Sequence, residues 1–145
     1  MIKISAVIIV YNEEKYIQAC LETLKPVVDE IVIVDSGSTD NTTSICKQYT
    51  ENITTQLFKG FGPQKQIGIS NASHEWILQL DADERLSVNL QQELLELKKI
   101  MNQCVLVSPY PFICISYVNE CDSVDVVGSI TFVCLGNHLH LMKGK

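Results

Sequence analysis

The chain has no basic run and no uninterrupted apolar stretch of the roughly 18 residues needed to cross a bilayer. Its net charge of −6 excludes a nucleic-acid binder that works by neutralising phosphates. The longest apolar candidate, 105–118, is interrupted by Ser108, Pro109 and Pro111. Residues 1–6 pass straight into a strand-like run with no cleavage site, so no secretory signal is expected. The six cysteines are irregularly spaced, with no Cys-x-x-Cys and no Cys/His cluster of zinc spacing. His138 and His140 read as incidental, and reduced thiols in the cytoplasm are the expectation. Without secretion, the three Asn-x-Ser/Thr sequons carry little weight. No Gly-x-Gly-x-x-Gly follows the first strand-like run, which removes a dinucleotide-binding dehydrogenase.

What is present is the composition of a folded globular domain, 46% hydrophobic and 19% charged over 145 residues. The first hundred residues alternate strand and helix signals. A continuous β-branched run over Ile4–Val10 has the pattern of a strand buried on both faces. Residues 13–24 place Tyr16, Ile17, Cys20, Leu21 and Leu24 on one helical stripe that Pro26 ends. Further strands are expected at 30–34, 54–58 and 75–80, and further helices at 41–49 and 64–71. Gly60-Phe61-Gly62-Pro63 reads as a loop. Ser87 caps a last helix carrying Leu90, Leu94, Leu97 and Met101. This alternation predicts an α/β domain, Rossmann-like, with a mainly parallel sheet flanked by helices.

Parallel sheets bind ligands at the carboxyl ends of their strands, and four elements fall there. Leu80-Asp81-Ala82-Asp83-Glu84 ends an apolar strand in two carboxylates, which an extended backbone would point to one side. Two hard oxygen donors suit Mg²⁺ or Mn²⁺ carried in on a diphosphate; a plain acidic surface turn is the alternative. Tyr11-Asn12-Glu13-Glu14 offers a ring and polar groups for a planar base and its ribose, or the start of a capped helix. Asp35-Ser36-Gly37-Ser38-Thr39-Asp40 offers a carboxylate and a glycine that permits close approach, or again a cap. Gly60–Lys65 brings one positive charge, Lys65, to a helix start; a solvated surface lysine is the alternative.

In this order and spacing, the four elements resemble the family 2 glycosyltransferases of the GT-A fold. They look most like the bacterial lipopolysaccharide-core β-1,4-glucosyltransferase branch, over residues 2 to about 98. The resemblance implies a UDP-hexose donor, Mn²⁺ or Mg²⁺, and a lipopolysaccharide-core, other surface-glycan or lipid-linked acceptor. It also implies inversion at the sugar carbon, with peripheral contact at the cytoplasmic face of the inner membrane. By the same resemblance Tyr11 and Glu13 line the uridine pocket, flanked by Asn12, and Asp35, beside Ser36, contacts base or ribose. Lys65 stands near base or diphosphate. Asp81 faces the ribose, and Asp83, beyond Ala82, holds the metal with Asp81. Many members carry a second Asp where Ser36 stands, and Gln66 replaces the usual Asn.

Texture changes near Met101. Only 5 of the 28 charged residues fall in 101–145, yet four of the six cysteines do. Residues 1–100 read as the donor-binding half-domain and 101–145 as an atypical tail, of frameshifted or degenerate origin. Reading a back-translation of 124–145 from each codon's third base permits Gly-x-Gly-Trp and Leu-Phe-Arg-Lys strings like the family's downstream segment. The family supplies its acceptor site and base after the Asp-x-Asp segment, and the tail offers only Glu120, Asp122 and Asp125. The expectation is a truncated chain that binds donor and transfers sugar slowly or not at all. The alternatives are a non-catalytic donor-binding fragment and a haloacid-dehalogenase-type phosphohydrolase. The latter puts Thr or Val where Arg85 stands.

Overall fold

A run in which nearly every residue is β-branched can be stable only where both faces are covered, and Ile4–Val10 forms such a strand, β1. The computed structural model describes residues 2–103 and, beyond them, two short strands. After β1 come α1 (Ile17–Leu24), β2 (Glu30–Asp35), α2 (Thr42–Cys46) and β3 (Ile53–Thr55). They are followed by α3 (Phe61–Asn71), β4 (Trp76–Asp81) and α4 (Val88–Gln103). The four strands form one parallel sheet in the order β3-β2-β1-β4. The remaining strands, β5 (Cys114–Ile115) and β6 (Phe132–Val133), pair antiparallel with each other. The rest of the expected tail lies outside the described residues. Among the described residues no helix is long and apolar enough to cross a membrane.

The period-two alternation of β1 divides its side chains between two layers. Ala6, Ile8 and Val10 join a core with Ile17, Leu21 and Leu24 of α1 and Leu90 and Leu94 of α4. Val7 points the other way, with Val32 and Ile77, against Ile69 of α3. The helices therefore cover both faces, as the sequence alternation predicts.

Several element boundaries differ from expectation; α2, expected over 41–49, spans only Thr42–Cys46. The helix expected from residue 13 begins at Ile17; residues 14–16 form a turn in which the Tyr16 and Ile17 N–H groups both donate to the Glu13 carbonyl. α3 starts at Phe61 rather than 64; Pro63 is tolerated there because first-turn N–H groups have no helical partner to lose. β3 stops at Thr55, opposite Asp35, the last residue of β2, so residues 56–58 leave the sheet. The expected cap at Ser87 is present, its Oγ accepting from the Leu90 N–H at 3.2 Å.

Along the chain the sheet grows from β1 through β2 to β3, then returns to the other side of β1 for β4. The carboxyl ends of β1 and β4 thus border a topological switch point, where an open α/β sheet leaves a crevice.

Candidate functional site

The loops after β1 and β2 are built as one piece. Asn12 adopts a left-handed backbone, φ 54°, which asparagine tolerates better than most residues. Its N–H donates to Ser38 Oγ (2.9 Å), and its Oδ1 accepts from the Thr39 N–H (2.8 Å). Thr42 Oγ1 accepts from the Glu13 N–H at 2.7 Å, and the Glu14 carboxylate accepts from both nitrogens of Asn41. Asp35 is buried and accepts from the N–H groups of Gly37 and Ser38, an Asx-type turn that Gly37, at φ 96°, allows to close.

Above the switch point this platform borders an open cleft of about 790 Å³, within the usual size of a small-molecule site. Tyr11, Glu13 and Ser36 line one part of it, Asp81, Ala82 and Asp83 another, and Leu57, Phe58 and Phe61 a third. The Asp-x-Asp segment reaches the cleft by a route the sequence does not display. Rather than continuing extended, the chain turns: the Glu84 N–H donates to the Asp81 carbonyl at 3.0 Å. In return Glu84 Oε2 accepts from the Asp81 N–H at 3.0 Å. Ala82 is buried in the core as the pivot, and both aspartates are left exposed. From below, the Cys20 thiol reaches the Asp81 carbonyl at 3.8 Å, and burial pushes that thiol up to about 12.

Negative charge is concentrated here. Burial, then the charges of Asp83 and Asp40, raise the Glu13 carboxyl above its ordinary value. Glu84 is raised too, first by burial and then by Asp81 and Asp83, against the opposing hydrogen bond from Asp81 and the charge of Lys65. Lys65 Nζ lies 3.2 Å from Asp81 Oδ1, a partly exposed pair of modest worth. Among the described residues no group of three or more His, Cys, Asp or Glu side chains is arranged to hold a metal ion. Asp81 and Asp83 therefore offer at most two protein ligands. That donor set fits Mg²⁺ or Mn²⁺, which can bind through one or two carboxylates and complete their shell with water and substrate phosphates.

Of the residues singled out from sequence, Tyr11, Glu13, Ser36, Asp81, Ala82 and Asp83 meet in the one cleft. Lys65 adjoins it through Asp81. Asn12 serves instead to lock the two loops together. Asp35 is occupied by its own turn and lines a neighbouring hollow with Gly37, Ser38 and Lys47. Sequence reasoning missed the apolar wall and Gln64. Gln64 is fully buried, with Nε2 donating to Ser36 Oγ (3.0 Å) and to the Gln56 carbonyl (2.9 Å). Exposed apolar residues in a short loop and at the first position of a helix have no periodicity to betray them, whereas a glutamine between a proline and a lysine reads as surface.

A parallel sheet with its cleft at the switch point and a carboxylate turn at the end of β4 is the architecture of GT-A glycosyltransferases. The family model described as glycosyl transferase family 2 matches residues 5–120, and the chain belongs to that family. It is 42% identical over 94 residues to an uncharacterized glycosyltransferase of Rickettsia felis, covering 65% of this chain and 33% of that protein. To the lipopolysaccharide core biosynthesis glycosyltransferase LpsC of Rhizobium meliloti it is 38% identical over 107 residues, covering 70% and 39%. Among solved structures, S. aureus TarS 1–349 in complex with UDP superposes with a TM-score of 0.57 at 26% identity, over 70% of this chain and 32% of that one. Glucosyl-3-phosphoglycerate synthase from Mycobacterium tuberculosis, in complex with Mn²⁺, UDP and glucosyl-3-phosphoglycerate, superposes at 0.50 with 25% identity, over 56% and 33%. The chain spans about a third of the length of the curated relatives it matches.

Proposed function

We propose that residues 1–100 form the donor site of a metal-dependent, inverting glycosyltransferase that takes a UDP-hexose and serves a lipopolysaccharide-core or other surface-glycan acceptor. The observation that carries this reading is the meeting of Tyr11, Glu13, Asp81 and Asp83 in one cleft at the switch point, from loops far apart in sequence. The likeness to LpsC supports the acceptor class, and the UDP and Mn²⁺ complexes of the structural neighbours support the donor and ion.

In this reading Asp83, with Asp81, holds Mn²⁺ or Mg²⁺, and Lys65 adds a positive charge beside them. The bound ion would neutralise charge on the departing nucleoside diphosphate. Tyr11 and Glu13 receive the nucleoside, and the Asp35 turn shapes the loop beside it. Inversion in a single displacement needs a carboxylate that takes the acceptor proton, and no described residue is assigned that role. The proposed setting is cytoplasmic, with peripheral contact at the inner membrane where lipid-linked acceptors lie.

Calorimetric titration with UDP and UDP-glucose, with and without Mn²⁺, tests the reading on the native chain and on Asp83→Ala. Manganese-dependent binding to the native chain, weakened at least tenfold in Asp83→Ala, is expected. No binding of either nucleotide under any condition would remove the donor-site reading.

A further inference from the structure

Leu57, Phe58 and Phe61 crown the segment that leaves β3 and enters α3, and they are 75%, 52% and 70% exposed. Single exposed apolar side chains need no explanation, but three large ones within a five-residue stretch mark a contact surface. Gly60, left-handed at φ 111°, separates the two phenylalanines, whose rings meet edge to face with centroids 5.2 Å apart. The segment is anchored from beneath. Fully buried Gln64 donates to the Gln56 carbonyl, immediately before Leu57, and to Ser36 Oγ on the neighbouring loop. Charge around these apolar tips departs from that of the whole chain. Net charge is −6, yet no Asp or Glu occurs from Asn52 to His74, where Lys59 and Lys65 both fall. Lys65 is paired with Asp81, whereas Lys59 is exposed and forms no ion pair among the described residues.

We propose that Leu57, Phe58 and Phe61 insert into the interfacial region of an anionic lipid bilayer, with Lys59 seated among its headgroups. The inference deepens the inner-membrane contact proposed above by naming the surface that makes it, and it rests on that reading. Interfacial binding grows with the apolar area buried and with the attraction of basic side chains to anionic lipid. This segment supplies both within five residues, and a lysine stem can lie along apolar surface while its ammonium stays at the polar boundary. An anionic surface repels a chain of net charge −6 as a whole, so general charge attraction does not bring it there. The contact has to be made locally, by an acid-free segment with apolar tips. All three apolar residues also border the cleft that carries Asp81 and Asp83. Resting on the bilayer, the segment turns that cleft toward the surface where the sugars of a lipid-linked acceptor lie.

The test is sedimentation of the full chain with lipid vesicles, in metal-free buffer so that no cation bridges carboxylates to headgroups. Vesicles of phosphatidylcholine alone are compared with phosphatidylcholine mixed with phosphatidylglycerol. The native chain is expected to bind the mixed vesicles more tightly. Leu57→Ser/Phe61→Ser, checked for native circular dichroism, should bind them about tenfold more weakly, and Lys59→Glu should lose most of the preference for anionic lipid. A second readout reports insertion directly. Fluorescence of Phe61→Trp should be quenched by vesicles of brominated lipid, whereas that of the native chain, whose Trp76 opens β4 at the other end of the sheet, should not. Native-level binding by the serine pair, an undiminished anionic preference in Lys59→Glu, or a bound Phe61→Trp chain that is not quenched would overturn the inference. Each of these would move the membrane contact to another surface. A native chain that binds neither kind of vesicle would remove the membrane reading and this inference together, while the donor site would still stand or fall by the calorimetry above.

Discussion

At Gly68 the helix on the far face of the sheet comes as close as a backbone can. A Cβ built there would collide with Val7 Cγ1 and sit 3.2 Å from Val34 Cγ2. Both valines are fully buried on the two central strands and cannot swing aside. The close approach carries α3, with Gln64 and Lys65 in its first turns, down toward the carboxyl edge of β1. Gly68→Ala is therefore expected to destabilise the domain by about 1–3 kcal/mol, the usual cost of overpacking, despite alanine's better helix propensity. Urea unfolding would measure it. A variant as stable as the native chain would mean that α3 is free to lift from the sheet, and that its first-turn residues are not positioned by packing.

The turn between β4 and α4 shows what an element adds to its residues. Asp81 and Asp83 were expected on one side of an extended segment; both do line the cleft, but the strand ends at Asp81 and a turn brings them there. The turn was not legible, because its closure depends on Glu84 folding back on the Asp81 N–H, a contact no spacing rule encodes. The same division runs through the rest. β1 was read to the residue, since a continuous β-branched run fits one environment. The starts of α1 and α3 were not, since a turn on the Glu13 carbonyl precedes the first and a tolerated proline lies in the second. Glu84→Ala removes one of the two bonds that close the turn. Manganese-dependent UDP affinity is then expected to fall about fivefold, the scale of one hydrogen bond of roughly 1 kcal/mol. Glu84→Gln, which keeps an acceptor oxygen, should restore most of it. Equal losses in both variants would assign Glu84 a role through its charge rather than through the turn.

Over the whole molecule, carboxylates at the two ends of the sheet respond to pH with opposite sign. Near the amino end of the sheet, burial raises Asp29, but hydrogen bonds from Lys98 and the Ile4 N–H outweigh it and hold the carboxyl below its ordinary value. Glu30 is likewise raised by burial and more strongly lowered by Ser5, Ser73 and Asn52. A depressed carboxyl contributes stability that is present above its unfolded pKa and lost as pH falls through its folded pKa. At the cleft, Glu13 and Glu84 are raised. Their contribution is present below the unfolded value and lost as pH rises through the folded one. Between the two trends, thermal stability is expected to peak in mildly acidic buffer. It should decline toward neutrality as the cleft charges, and fall steeply toward pH 3 as Asp29 and Glu30 protonate. Thermal unfolding across this range measures the curve, and two variants separate its limbs. Glu13→Gln should flatten the decline toward neutral pH, and Glu30→Gln should lower the peak and soften the acid limb. A curve that rises monotonically to pH 7, unchanged by Glu13→Gln, would mean that the cleft carboxylates do not crowd one another in the folded protein. The electrostatic case for a cation between Asp81 and Asp83 would then lose its support.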